Sequence, residues 1–342
     1  MLSLLFLVTA FFLCLHGGLE AREIALVSPE TGANNEAVWR SRGGYFPGIY
    51  YTDVLNVARA AEEFHPYWVR TQTEYEAFSR LVTDYKSLLL NNDILAFYGH
   101  PRSKNMGILG RYPIAELDDK LTVLAREYEA ESGGRSVKKA FYLIYGTVWP
   151  EGNIGILNED ILRSWIEYAQ LNDILIFIDH QIGRFDPIDS LKRMLPWLYY
   201  PNVHLALDPE WRTNRPMQEI GHMTGEEVNR AQRLIEEYLV EHNLPGERML
   251  VIHQFNWRMI RNREMVQSDF GRVRLIHCAD GFGSPQVKRS SYAFNAQAAN
   301  MPVKGFKLFY NFQIPGAGYD SPLMSPKDVY ELKPRPYIIM YQ

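Results

Sequence analysis

Two carboxylic acids, Asp208 and Glu210, stand two positions apart at the end of an apolar run, residues 203–207. Pro209 lies between them, and because proline ends strands, the pattern predicts that both acids lie where a buried strand passes into a loop. Paired carboxylic acids act as proton donor and as nucleophile or base in glycoside hydrolysis. Asp208 is therefore the first candidate for a central catalytic acid, and Glu210 is the second.

Similar polar clusters follow other apolar runs of the sequence. Acids and histidines rarely end buried strands by accident, because an unpaired buried charge is costly, so we predict one pocket where these ends converge. The candidate catalytic residues are Asp208, Glu210, Asp179 and Asp280. The candidate substrate-binding residues are His100, Tyr98, Gln181, Trp211, His253, Gln254, His277 and Lys307.

The elements that position these residues alternate along the chain from residue 92 onward. Apolar runs without polar alternation are typical of parallel strands buried on both faces. The predicted strands are residues 94–98, 140–145, 174–178, 203–207, 249–252, 273–276, 305–309 and 337–340. The predicted helices are residues 114–131, 158–171, 188–198, 224–241, 258–265, 284–298 and 326–332.

Eight strands alternating with seven helices in about 250 residues indicate a TIM-type (β/α)8 barrel, whose active site lies at the carboxyl ends of the strands. An open doubly wound sheet is the runner-up. It is disfavoured because no glycine-rich phosphate loop follows an early strand. Side-chain alternation then predicts that Asp208 points into the barrel mouth, that Asp179 and Gln181 share a face, and that His180 packs against a helix.

Residues 1–15 form an apolar run without a charged side chain, and Ala21 is a possible cleavage site. This pattern predicts a signal peptide over residues 1–21 and a secreted, periplasmic or cell-surface protein. The run is short for a membrane span, so membrane attachment is expected only through this segment. Residues 22–91 are predicted to form an N-terminal extension that packs as a cap on a barrel domain, residues 92–342.

Composition narrows the class of ligand. The net charge is −4 and no dense tract of lysine and arginine occurs, so nucleic acid binding has little support. Aromatic residues make up 13% of the chain, which suits a sugar-binding cleft and equally a well-packed core. We expect a small-molecule or glycan substrate.

Three chemistries fit these residues. Glycoside hydrolysis by paired carboxylic acids comes first and requires no cofactor, although the predicted seventh strand lacks the acid that many retaining glycosidases carry there. A phosphodiesterase is the second, either with two histidines as acid and base or with a divalent metal. No H-x-H or H-E-x-x-H pair marks a metal site. The candidate metal ligands are His100, Asp208, Glu210, His253, His277 and Asp280.

Lys307 suggests the third chemistry, a Schiff-base lyase. It lies inside an apolar run and needs a nearby carboxylate, for which Asp208 and Asp179 are the candidates. A structural ion pair is favoured slightly over a catalytic amine. A barrel that binds a glycan or a cell-envelope fragment without catalysis is a further alternative.

Several motifs together resemble an uncharacterised family of secreted bacterial proteins and lipoproteins. The resemblance covers roughly residues 92–342 and leaves residues 22–91 outside. It implies an exported barrel domain and no particular reaction. The motifs are Tyr98-Gly99-His100-Pro101, Ala206-Leu207-Asp208-Pro209-Glu210-Trp211, His253-Gln254-Phe255 and His277-Cys278-Ala279-Asp280-Gly281.

Overall fold

The computed structural model describes residues 88–90 and 92–342. The predicted signal peptide lies outside the described residues, and so does the predicted extension apart from a 3₁₀ turn at Leu88–Leu90. Residues Asn92–Gln342 form one compact unit. No helix in the described part of the chain is both long enough and apolar enough to cross a membrane.

Eight parallel strands close into a barrel within this unit. Each strand pairs with the next, and the last pairs with the first, where Tyr341 lies opposite Phe97. The predicted (β/α)8 barrel is therefore confirmed, and every predicted strand is present. The strands are β1 (Asn92–Gly99), β2 (Ser136–Val148), β3 (Leu175–Gln181), β4 (Val203–Asp208), β5 (Arg248–Gln254), β6 (Val273–Ala279), β7 (Lys304–Leu308) and β8 (Ile338–Tyr341).

Six α-helices pack around the strands in the described residues. Most begin with a side-chain cap, and the longest capped one starts with a capping box formed by Thr224 and Glu227. The predicted helix over residues 188–198 is shorter than expected, since Pro196 converts its second half into a 3₁₀ helix, Leu195–Tyr199. The helices are α1 (Ile114–Glu131), α2 (Glu159–Leu171), α3 (Pro187–Met194), α4 (Gly225–Glu241), α5 (Pro285–Ala296) and α6 (Pro326–Tyr330).

The predicted helix over residues 258–265 is wrong. The chain there forms two 3₁₀ turns, Trp257–Met259 and Arg263–Met265, on either side of a short strand, Ile260–Arg261. Asn262 adopts a left-handed conformation with φ of 50°, which a continuous right-handed helix cannot contain. The short strand instead pairs with Met223–Thr224 just before α4.

Alternate side chains of each strand face the barrel interior or the helices. Inside the barrel, the rings of Tyr142 and Phe177 stack with centroids 5.1 Å apart, and His204 lies 5.1 Å from Phe177. On the outer face, Phe141 meets Trp165 of α2 edge to face at 5.1 Å. These packed layers carry the stability, because the one cysteine of the described residues, Cys278, is free.

A buried ion-pair cluster closes the barrel at the amino ends of its strands. The carboxylate of Asp93, near the start of β1, accepts a 2.8 Å hydrogen bond from Nε of Arg135 and also pairs with Arg335. Asp93 is fully buried, whereas both arginines keep partial contact with solvent. The cluster joins the start of β1 to the segments that precede β2 and β8, which are its two neighbours in the barrel.

Replacing Asp93 with asparagine should lower the free energy of unfolding by about 3 kcal/mol, because two guanidinium groups lose their buried carboxylate. The matched control is Asp173→Asn, which removes a carboxylate that is 83% exposed and paired with Lys138. That change should cost less than about 1 kcal/mol. Urea unfolding followed by circular dichroism compares the variants, and equal losses would contradict a closing role for Asp93.

Candidate active site

A cavity of about 1050 Å³ opens at the carboxyl ends of the strands. Its lining brings together residues from strands that are far apart in the sequence, so the cavity depends on closure of the barrel. The predicted site residues that line it are Tyr98, His100, Gln181, Asp208, Glu210, Trp211, Asp280 and Lys307. The other predicted site residues, Asp179, His253, Gln254 and His277, lie outside the lining.

His253 lies beneath the cavity and connects two carboxylates. Its Nδ1 is 3.3 Å from Oδ2 of Asp280, and its Nε2 is 3.8 Å from Oδ2 of Asp179. Nε2 also forms a 2.8 Å hydrogen bond with the hydroxyl of Tyr142. Burial opposes a charge on this ring, but the contacts with Asp280 and Cys278 and the charge of Asp179 hold the pKa of His253 well above its usual range. A protonated ring is therefore favoured, and its charge balances those of the two acids.

Asp179 reaches the cavity through Tyr98. The hydroxyl of Tyr98 donates a 2.8 Å hydrogen bond to Oδ2 of Asp179, and both side chains are buried. As strand alternation predicts, Asp179 and Gln181 share the inner face of β3. The Gln181 side-chain oxygen accepts a 2.9 Å bond from the backbone N–H of Val148, which ties β3 to the end of β2. Asp179 therefore positions Tyr98, which lines the cavity, while Asp179 itself does not line it.

Asp208 and Glu210 occupy the turn that the sequence predicts. β4 ends at Asp208, and a 3₁₀ turn, Pro209–Trp211, follows at once. The turn is clamped by a 2.6 Å hydrogen bond from the N–H of Gly221 to the carbonyl of Glu210. A Cβ on Gly221 would lie 2.5 Å from the carbonyl oxygen of Pro209, so only glycine allows this close approach.

These two acids hold protons at higher pH than ordinary carboxylic acids. Burial, opposed by the charge of His253 and reinforced by those of Asp179 and Asp280, raises the pKa of Asp208 to about 7. Burial and the charges of Asp208 and Asp280 raise the pKa of Glu210 to about 8. Because a charge on Asp208 opposes ionisation of Glu210, the two acids together retain a proton near neutral pH. Oδ1 of Asp208 and Oδ1 of Asp280 are buried without a hydrogen-bond partner among the described residues.

His100 stands on the wall of the cavity, on the loop that leaves β1. This loop folds back on its own strand, so that Gly99 and Gly107 form an antiparallel bridge. Gly107 has a φ of 91°, and a Cβ there would overlap the carbonyl of Tyr98. Nδ1 of His100 accepts a 3.1 Å bond from the N–H of Arg102. Burial and the charge of Arg102 lower the pKa of His100, which favours a neutral imidazole at the wall.

Lys307 lacks the ion pair that the sequence predicts. Its ammonium lies 3.6 Å from the ring centroid of Tyr98, in cation–π contact, and no ion pair with Asp208 or Asp179 occurs among the described residues. Only 4% of the residue is exposed, so it lies at the bottom of the cavity. Its charge still acts on Asp208 and Glu210, where it opposes the rise in pKa.

Gln254 and His277 face the helices and not the cavity. Nε2 of His277 bonds Oε1 of Gln254 at 2.8 Å, and its Nδ1 lies 3.1 Å from the ammonium of Lys304. Lys304 also donates to the carbonyls of Asn295 and Ala298 at the end of α5. Burial and the charge of Lys304 lower the pKa of His277 well below its usual range, so the ring is neutral. This network attaches α5 to the barrel.

The candidate metal ligands are not assembled into a metal site. Among the described residues, no group of three histidine, cysteine or acidic side chains has the geometry to hold a metal ion. The reason is visible in the strands: His277 points to the helices, His253 is fully buried between its carboxylates, and His100 stands on the cavity wall.

Sequence reasoning missed the aromatic rim of the cavity. The rim carries Trp149, Phe255, Phe282 and Phe309, together with Trp211, which was predicted. Trp149 follows β2, on a hairpin in which residues 146–148 pair antiparallel with residues 154–156. The signal available in the sequence was the position of these rings within three residues of strand ends, the same region that identified the acids.

No protein-family model matches the chain, and no curated protein does. Among solved structures, a family 18 chitinase from Crocus vernus is similar, with a TM-score of 0.39 and 10% sequence identity. The alignment covers 73% of this chain and 92% of that chain. A likeness at this level carries no argument about function, which therefore depends on the geometry of the site.

The raised pKa values make the stability of the protein depend on pH. A carboxylic acid that binds its proton more tightly when folded stabilises the fold at low pH, and this contribution is lost as the pH rises from its unfolded to its folded pKa. For Glu210 that window runs from about 4.5 to about 8. The free energy of unfolding should therefore fall across it, by up to about 1.4 kcal/mol per pH unit for each proton.

Glu210→Gln should flatten this decline, as measured by urea unfolding at several pH values. Glu219→Gln is the matched control, since it makes the same change at a carboxylate on the surface, paired with Arg215. The control should keep the wild-type slope. An unchanged slope in Glu210→Gln would show that Glu210 is not the protonated acid of the cavity.

Proposed function

We propose that the protein is a glycoside hydrolase in which Glu210 protonates the leaving group. The observation that carries the proposal is the pair formed by Asp208 and Glu210 in one cavity. Burial raises both pKa values, and a charge on Asp208 opposes ionisation of Glu210, so the pair can hold one proton at neutral pH. A protonated acid beside a carboxylate is the arrangement that glycosidases use for proton donation.

Asp280 is the second carboxylate of the proposed reaction. It lines the cavity from the exit of β6, two strands away from β4, and its charge contributes to the raised pKa of Glu210. A second carboxylate in the cavity of the proton donor can attack the anomeric carbon or activate a water molecule. Asp208 has a different role, because its negative charge keeps the proton on Glu210.

The remaining predicted acid and base residues position these groups. His253 contacts Asp280 from below, and Asp179 holds Tyr98, whose ring supports the ammonium of Lys307. Lys307 and Asp208 both line the cavity, and a sugar hydroxyl can accept from the ammonium while it donates to the carboxylate. A polar, hydroxyl-rich substrate suits this combination of donors and acceptors.

The proposed substrate is a glycan outside the cell. The predicted signal peptide, residues 1–21, and the resemblance to exported bacterial proteins support the proposal of export. A phosphodiesterase is less well supported, because the candidate metal ligands do not converge and His253 does not line the cavity. The remaining alternative is a barrel that binds glycans without cleaving them, and the next experiment distinguishes it from a hydrolase.

The loss of activity on replacing Glu210 should depend on how readily the leaving group of the substrate departs without a proton. With natural glycosidic bonds, Glu210→Gln should lower kcat/KM about 10²- to 10⁴-fold, because no proton reaches the departing oxygen. With aryl glycosides that carry acidic phenols the loss should be much smaller, since such groups leave unprotonated. Asp280→Asn should impair both substrate types. Release of reducing ends and of phenol measures the two activities.

The control is again Glu219→Gln, which should leave both activities unchanged. For the wild type, kcat/KM should fall above about pH 8, where Glu210 ionises. A glycan that binds without any release of reducing ends would favour the non-catalytic barrel. Equal losses on both substrate types in Glu210→Gln would contradict its role as proton donor.

A further inference from the structure

Two aromatic rings at the mouth of the cavity are exposed and yet held in place. Trp149 and Phe282 both line the cavity, and 55% of each residue is exposed. Single exposed aromatic residues are common on protein surfaces and need no explanation. The contacts beneath these two rings set them apart.

Each ring rests on a glycine. A Cβ on Gly155 would lie 2.6 Å from Nε1 of the Trp149 indole, and a Cβ on Gly318 would overlap the ring of Phe282. Phe282 also meets Phe309 edge to face, with centroids 5.9 Å apart. One side of each ring is therefore supported by the backbone, while the other side remains open to the cavity mouth.

The loop that carries Phe282 is fixed by buried charges. Lys288 donates a 2.6 Å hydrogen bond to the carbonyl of Gly281 and pairs with Asp320 at 3.2 Å. Asp320 in turn accepts bonds of 3.0 Å from the N–H groups of Gly283 and Phe309. The residues on both sides of Phe282 are thus anchored by one buried ion pair, which fixes the position of its ring.

The barrel order places the two rings on opposite sides of the cavity. Trp149 follows β2 and Phe282 follows β6, and these strands are four positions apart in a closed barrel of eight. Asp208 and Glu210, which line the cavity, come from the end of β4, and β4 lies midway between β2 and β6 in the barrel order. A chain molecule that contacts both rings therefore spans the mouth of the cavity that these acids line.

We propose that Trp149 and Phe282 are stacking platforms for sugar rings on either side of the catalytic acids, so that the substrate is a glycan polymer bound across the mouth and cleaved within its chain. The apolar C–H face of a sugar packs on an aromatic ring, while its hydroxyls remain in water. This inference rests on the proposed function for the cleavage step, but the binding step can be tested without it.

The test is affinity electrophoresis of the exported chain, residues 22–342, in gels that contain glycol chitin, hydroxyethyl cellulose, xylan or glucomannan. Glu210→Gln is the parent, so that no polymer is consumed. At least one polymer should retard the parent protein. Trp149→Ala and Phe282→Ala should each weaken that binding about tenfold, and Phe282→Trp should retain it, because any aromatic ring can serve as the platform.

Two further variants separate stacking from structural damage. Gly318→Ala keeps Phe282 but displaces its ring, so it should weaken binding as Phe282→Ala does. Tyr199→Ala removes a ring that is 58% exposed at the end of Leu195–Tyr199, on the amino side of β4, and should bind like the parent. Thermal melting confirms that each variant is folded.

The outcomes distinguish this inference from the proposed function. If Trp149→Ala and Phe282→Ala, made in the active protein, raise KM for the polymer far more than KM for short aryl glycosides, both stand. Polymer binding that depends on the two rings without any hydrolysis would preserve the platforms and reject the hydrolase. No retardation by any polymer, or full retardation of the double variant, would overturn the platforms even if short glycosides are cleaved.

Discussion

The contact of His253 with two carboxylates is the interaction on which the site depends. An isolated charge buried between strands would be too costly to maintain, and so would either aspartate alone. Together, the imidazolium and the acids Asp179 and Asp280 balance one another's charges across β3, β5 and the exit of β6. The charge of His253 opposes the rise in pKa that burial causes at both Asp208 and Glu210. A residue that does not line the cavity thus helps to set the protonation of the acids that do.

Closure of the barrel brings together the polar residues of the cavity, which lie between positions 98 and 307 of the sequence. The ion pairs of Asp93 close one end, and the cavity occupies the other, so stability and chemistry are separated along the strands. The outward network of His277 and Lys304 also serves stability, because it attaches α5 to the barrel wall. Buried polar groups on the inner face of the strands determine the chemistry, while those on the outer face determine packing.

The strands and the direction of Asp208 were predictable because continuous apolar runs and two-residue alternation are local properties. Alternation would also have separated His253 from Gln254 had it been applied to β5, since neighbours on a strand face opposite sides. The absence of a helix over residues 258–265 was not predictable, because it results from the left-handed backbone of Asn262. The pKa of Glu210 depends on charges from other strands, which no local pattern contains. The aromatic rim was not predictable for the same reason, since the ring of Phe282 rests on Gly318, which is far along the chain.

The glycines beneath the rim rings have a consequence for the thermodynamics of association. A free surface aromatic loses rotamer freedom when a ligand immobilises it, and this loss opposes binding. The ring of Phe282 has already lost that freedom, because Gly318 and Phe309 confine it when the protein folds. Ligands that contact this ring are therefore expected to bind with a smaller entropic penalty than an exposed phenylalanine would ordinarily impose.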